Sequence, residues 1–232
     1  MNRDIYRSGE YLKKNPTWHG EDSSWKAKHI LKIINDNNLR INSICEVGCG
    51  SGQILKELYK VMAENVYFIG YEISPYAFKL CQQWENERVQ FFLKDLLEEK
   101  EVFFDLILAI DVFEHIEDYL GFLKKLHSKG RYKIFHIPLD LSVQSVIRSS
   151  PIIKCRYDVG HLHYFTKELA LATLADTGYK IIDYFYTASS IELPPKSLIS
   201  SIARLPRKLM FMINKDFSAR ILGGFSLMVL TK

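Results

Sequence analysis

The residues with the most chemical meaning begin in the run Ile44-Cys45-Glu46-Val47-Gly48-Cys49-Gly50-Ser51-Gly52, where an apolar stretch gives way to alternate glycines. Glycine tolerates positive φ and has no side chain, so backbone N–H groups in such a turn can approach a ligand closely. A dinucleotide fingerprint puts its third glycine after two intervening residues. Here position 53 is Gln53 and the glycines stand at 48, 50 and 52, which argues against NAD. Glu72 ends the next apolar run, and Asp95 follows the one after it in Phe92-Leu93-Lys94-Asp95-Leu96. An ionised carboxylate only accepts hydrogen bonds. At a strand's carboxyl end beside a glycine turn, Glu72 can take both hydroxyls of a ribose, and Asp95 can meet an exocyclic amino group such as that of adenine. Histidines add proton transfer near neutral pH. His115 follows a fourth apolar run, and His161 and His163 point to one side if their segment is extended. Plainer readings stand beside these: helix caps or solvated loops for Glu72 and Asp95, hydrogen-bonded packing for the histidines, a tolerated small residue for Cys49 and core for Cys45.

Such residues act together only if the fold brings them together. Short β-branched or aromatic runs alternate with segments whose apolar residues recur at helical spacing, the pattern of a parallel sheet covered by helices. Strands are predicted at 43–47, 67–71, 89–93, 106–109 and 131–137, most of them apolar on both faces, and helices at 53–62, 75–84 and 119–127. After Pro138 the rhythm changes. No clear element emerges over 139–157; a helix is expected at 167–176, closed by Gly178, then a strand at 180–186. A last apolar run at 225–230 is expected to pair with that strand at one sheet edge. Two segments stand outside the alternation. One is an aromatic-rich opening with Tyr6, Tyr11, Trp18 and Trp25, running into a helix over 25–37. The other is 194–224, where Lys196, Arg204, Arg207, Lys208, Lys215 and Arg220 lie among Leu, Ile, Met and Phe.

Composition fits one globular domain over 1–232: 47% hydrophobic and 25% charged residues lie far from the disordered regime, and this length buries one substantial core. A net charge of +4 neither demands nor excludes nucleic acid, because phosphate binding depends on clustered Lys and Arg; no nucleic-acid partner is expected. The opening residues lack the apolar stretch of a secretory signal. Asp105, Asp111 and Glu114 interrupt the longest apolar stretches, well short of the roughly 18–20 residues of a membrane span. Four cysteines without CxxC spacing suit a reducing compartment, so a cytoplasmic protein is expected.

Taken in order, Glu46-Val47-Gly48-Cys49-Gly50-Ser51-Gly52, Glu72, Asp95 and Asp111-Val112-Phe113-Glu114-His115 resemble the successive motifs of class I S-adenosylmethionine-dependent methyltransferases, in particular small-molecule enzymes of the ubiquinone-pathway type. The likeness covers roughly 43–138. It implies an α/β, doubly wound, mostly parallel seven-stranded sheet with an antiparallel last strand, and S-adenosylmethionine lying across the strand ends near the topological switch point. It further implies that Glu46, Gly48, Cys49 and Gly50 hold the methionine end, Glu72 the ribose, and Asp95 with Leu96 the adenine, on which Ile73 packs; Asp111 also falls at the cofactor. On this plan 1–42 forms a helical lid, 43–138 the cofactor core, and 139–232 the substrate side with the last two strands.

Methyl transfer from a sulfonium is an in-line displacement, so positioning supplies much of the rate. A hydroxyl acceptor gains from a base, for which His115 is the first candidate and His161 the second. The expected reaction is transfer to oxygen or nitrogen of a small-molecule acceptor. Asp111-x-x-Glu114-His115 also resembles the pattern by which certain ubiquinone-pathway and small-RNA methyltransferases hold a divalent ion, with Asp111 in place of the usual first Glu. Metal-assisted RNA methylation is therefore one alternative, and a non-catalytic S-adenosylmethionine-binding module another; no metal is assigned in the main reading. For 194–224, a solvated face and weak attraction to anionic lipid or an acidic substrate both remain open, with 204–212 as the contact region.

Overall fold

The computed structural model describes residues 5–195 and 198–232, so Lys196 lies outside the described residues. Seven strands, β1 (Ser43–Val47), β2 (Tyr67–Glu72), β3 (Val89–Leu93), β4 (Phe104–Ile110), β5 (Gly130–Pro138), β6 (Ile181–Thr187) and β7 (Ser226–Thr231), form one sheet in the order β3-β2-β1-β4-β5-β7-β6. β1 to β5 pair in parallel, and β7 runs antiparallel to both of its neighbours. This is the doubly wound sheet implied by the motifs. The last apolar run pairs with the preceding strand at one sheet edge, as expected; β7 is inserted between β5 and β6, and β6 is the outermost strand. Burial explains the order, since every residue of β7 is buried, whereas β6 carries Asp183 and exposes Ile182 and Tyr184. An all-apolar strand gains from two covered flanks, and a mixed one tolerates an edge.

The helices are α1 (Glu10–Lys14), α2 (Ser23–Asp36), α3 (Gln53–Tyr59), α4 (Pro75–Cys81), α5 (Tyr119–His127), α6 (Val143–Arg148), α7 (Ser150–Asp158), α8 (Lys167–Asp176), α9 (Ser189–Glu192), α10 (Leu198–Ile213) and α11 (Lys215–Leu222). α5 and α8 match their predicted bounds because side-chain caps fix where they start: Asp118 accepts from Gly121 N and Thr166 from Leu169 N. The helix expected over 53–62 stops at Tyr59, and that over 75–84 tightens into a 3-10 turn from Gln82. The unclear stretch after Pro138 becomes α6 and α7. α6 opens on a capping box built from Ser142 and Ser145, in which the second serine replaces the usual Glu or Gln.

Alternate residues of the central strands feed opposite faces. Ile44, Leu106 and Leu108 pack with Ile30 and Ile33 of α2 and Leu55 of α3; Cys45, Ile107 and Ala109 pack with Leu123 and Leu126 of α5 and Leu174 of α8. Strand order reverses between β1 and β4, so the loops leaving their carboxyl ends diverge and open a crevice there.

Candidate active site at the strand ends

Register brings the acids of the sequence motifs together. Val47 pairs with Tyr71 and Glu72 with Leu93, so Gly48, Glu72 and Asp95 emerge side by side, and all three line one cavity of about 1290 Å³. Gly48, Gly50 and Gly52 all adopt positive φ. At Gly50 a Cβ would also come within 2.6 Å of Trp18 Cδ1, so this turn requires glycine for backbone and for space. Glu72 ties the turn down: Oε2 accepts from Gly50 N at 2.8 Å and Oε1 from Ser74 N at 2.7 Å. Each oxygen keeps a second lone pair for a hydroxyl donor. Burial raises the Glu72 carboxyl, against the pull of these backbone donors. Asp95 Oδ1 caps a 3-10 turn over Leu96–Glu98 by accepting from Leu97 N at 2.8 Å. Ile73, 42% exposed, puts apolar surface on the cavity wall, whereas Leu96 borders the cavity with its side chain fully buried.

Deeper in the crevice the charges are arranged less simply. Glu46 borders the cavity beside Cys49, and its Oε2 is buried without a hydrogen-bond partner. Burial pushes this carboxyl well above its usual range, with Lys26 opposing. Lys26 Nζ lies 2.7 Å from Asp111 Oδ2, and His136 Nδ1 lies 2.6 Å from Asp111 Oδ1. Burial alone would raise the Asp111 carboxyl, but His136 and Lys26 outweigh it and hold it well below the ordinary value. Asp111 lines the cavity, yet both of its oxygens are committed to protein partners. It also sits at φ 55°, a region non-glycine residues seldom occupy, so the two contacts fix a strained backbone at the end of β4. Sequence reasoning missed Lys26 and His136. The available signal was a lysine sharing one stripe with Ile30 and Ile33 on a helix otherwise buried along that line.

Across the cavity His115 and His161 stack edge to face, with ring centroids 4.8 Å apart. His161 Nδ1 lies 2.6 Å from Asp140 Oδ2, a pairing across 21 residues that nothing in the sequence announces. His115 Nδ1 lies 2.8 Å from Tyr6 Oη; burial and the neighbouring His161 push its imidazole down to about 3. His163 is corrected: its segment is not a strand, its Nε2 lies 2.9 Å from the Ile116 carbonyl oxygen, and its ring packs on Tyr119, away from His161. Glu114 is fully buried with both oxygens unpartnered, and burial followed by Asp111 drives its carboxyl well above the usual range. Glu114, His115 and His161 each offer one ligand atom within 4.8 Å of the others. A divalent ion would therefore find His161 where the sequence pattern suggested Asp111.

The opening segment covers the turn. Tyr11 packs between Tyr6 and Trp18 at 4.9 and 4.6 Å between ring centroids, and Trp18 lies against Gly50. Gly160, at φ 85°, admits this segment: a Cβ there would meet Ile5 Cδ1 at 2.7 Å. Trp25 lines the cavity but is tethered, its Nε1 donating to Glu192 Oε2 at 2.6 Å. As a whole the cavity fits a nucleoside with a cationic amino-acid tail. Glu46 keeps one buried carboxylate oxygen without a hydrogen-bond partner, the glycine turn leaves room for close backbone contact, and acceptor oxygens stand at successive strand ends.

A family model described as Methyltransferase domain matches residues 18–184. The ubiquinone biosynthesis O-methyltransferase of Pseudomonas syringae pv. tomato is 28% identical over 120 residues, covering 47% of this chain and 51% of that protein. The chain thus spans about half the length of the curated relative it matches. Magnesium protoporphyrin IX methyltransferase from Synechocystis PCC 6803, solved with bound SAH, aligns with a TM-score of 0.60 at 15% identity, over 90% of this chain and 83% of the other. The cyclopropane synthase MmaA2 from Mycobacterium tuberculosis aligns at 0.58 and 16% identity, over 88% and 84%. At these identities the solved structures establish a common fold.

Proposed function

This chain belongs to the methyltransferase-domain family of class I S-adenosylmethionine-dependent enzymes, and on that premise we propose that it methylates an oxygen of a small-molecule acceptor, with His161 as the base. The observation that carries the proposal is the Asp140–His161 pair, whose histidine lines the cavity. With Nδ1–H donated to Asp140 Oδ2 at 2.6 Å, the tautomer leaves the Nε2 lone pair to accept a proton. His115, whose imidazole is lowered to about 3, stays neutral and is too weak a base, which reverses the order of the two candidates. S-adenosylmethionine, when bound, supplies an electrophilic methyl group on sulfur. Glu46 would receive its ammonium group, Glu72 the ribose hydroxyls and Asp95 the adenine amino group, while Ile73 would pack on the ring. Trp18 and Tyr11 exclude water from the turn. His161 would take the acceptor's hydroxyl proton at Nε2 as the methyl group passes from the donor's sulfur to the acceptor oxygen and S-adenosylhomocysteine leaves, and Asp140 would stabilise the resulting imidazolium. A cavity of about 1290 Å³ exceeds the roughly 300–1,000 Å³ of single-ligand sites, which leaves room for donor and acceptor together.

Labelled S-adenosylmethionine, incubated with fractionated small molecules bearing hydroxyl groups, tests this. His161→Ala and Asp140→Asn should each lower kcat at neutral pH by about 10²–10⁴-fold with donor affinity unchanged. Equal turnover in His161→Ala would remove the assigned base, and tight donor binding without transfer to any fraction would favour the binding-module alternative. The Glu114–His115–His161 grouping supports a second reading, metal-assisted transfer. Activity on RNA that a chelator abolishes and manganese restores would select it.

A further inference from the structure

The helix α10 presents its apolar stripe outward. Leu198, Ile202, Leu205, Leu209 and Met212 recur at intervals of four and three, which aligns them along one side, and they are between 53% and 84% exposed. The opposite side is already occupied: Phe211 stacks on Phe225 at 4.7 Å and meets Tyr186 edge-on at 6.1 Å. Scattered surface leucines are ordinary, but a continuous line of large apolar side chains marks a contact surface.

The charges around the stripe indicate what covers it. α10 contains no acidic residue and carries Arg204, Arg207 and Lys208, with Lys215 just beyond its end. Among the described residues the ion pairs of this region join Lys167 to Asp216 and Arg220 to Glu168, which leaves those four outside them. Arg148 of α6 stands close enough to Arg207 to oppose its charge, adding to the lowering that burial causes. Sixteen residues at about 1.5 Å each make a helix shorter than the ~30 Å hydrocarbon core, and no helix among the described residues is long and apolar enough to cross a membrane. A basic amphipathic helix that does not span the bilayer can lie in the lipid interface, its apolar face buried at the acyl boundary. We propose that α10 docks the protein on an anionic membrane surface, its leucine-rich stripe entering the acyl boundary and Arg204 and Lys208, on the flank of that stripe, meeting lipid phosphates. α9, which packs against α10, carries Ser189 on the cavity wall, so the docked surface adjoins the active-site crevice.

The proposal is independent of the transfer chemistry and is tested on the full chain by flotation with phosphatidylcholine vesicles, with and without phosphatidylglycerol. Binding should be about tenfold or more tighter when phosphatidylglycerol is present and should weaken in high salt. Leu205→Glu with Leu209→Glu should reduce flotation to background while leaving calorimetric binding of S-adenosylhomocysteine unchanged; Arg204→Gln with Lys208→Gln should reduce the preference for the anionic lipid. A chain that stays in solution with anionic vesicles, or binds both vesicle types equally, overturns the proposal. So does a dimer by light scattering that Leu205→Glu dissociates while vesicles are ignored, since a second copy would then be the partner.

Discussion

Glu72→Gln tests the residue on which the proposed cofactor site turns. Its two oxygens already accept from Gly50 N and Ser74 N at 2.8 and 2.7 Å, and in the proposed complex each also takes one ribose hydroxyl. Hydrogen bonds to a charged acceptor contribute about 1.5–3 kcal/mol each. Gln keeps one acceptor oxygen but turns an NH2 toward a backbone N–H, so one of each pair is lost and the remaining pair is no longer charge-assisted. A loss of about 2–4 kcal/mol in donor binding follows, equivalent to a Kd roughly 30- to 700-fold higher. Calorimetry with S-adenosylhomocysteine reads the change, with urea unfolding run in parallel because the same substitution loosens the turn. A dideoxy-ribose analogue closes the cycle: it should bind the wild type as weakly as the variant binds the natural ligand, and it should bind both proteins alike. A Kd within threefold of wild type in a folded variant, or full discrimination against the analogue by Glu72→Gln, would refute the ribose contact; the analogue's loss of affinity on the wild type is informative even if the variant does not fold.

Further outcomes follow from the buried charges. Lys26→Met strips Asp111 of one partner. Breaking a buried pair costs about 3–5 kcal/mol, reduced to about 2–3 here because the side chains are 14% and 23% exposed; a shift in the urea midpoint worth less than ~1 kcal/mol would argue that the pair is not structural. The Asp111 carboxyl is held below its ordinary value, so the stability it confers is present above the unfolded Asp pKa near 3.9 and is lost as pH falls toward the lower folded value. The penalty of Lys26→Met should accordingly be level from pH 7 to 5 and shrink below about 4. Glu46, whose carboxyl burial raises, should ionise as a cationic donor arrives. Binding then releases a proton and strengthens with rising pH, visible as an apparent binding enthalpy that varies with buffer in the wild type and not in Glu46→Gln.

The sequence by itself determined the parts whose cause is local. A glycine needed at positive φ is legible because no other residue takes that conformation readily, and Glu72 and Asp95 are legible because strand periodicity fixes where each strand ends. α5 and α8 were equally readable, since Asp118 and Thr166 cap them in place. Tertiary structure decided the partnerships. Lys26 reaches Asp111, and its charge opposes the effect of burial on Glu46, only because tertiary packing brings α2 to the sheet; Asp140 reaches His161, and Tyr6 reaches His115, across 21 and 109 residues of chain. The same holds for β7, whose pairing with β6 the sequence suggests but whose insertion beside β5 it does not. Periodicity and turn chemistry report what a residue's own backbone demands, whereas the meeting of distant charges depends on how helices and loops pack, and packing takes its geometry from the whole core at once.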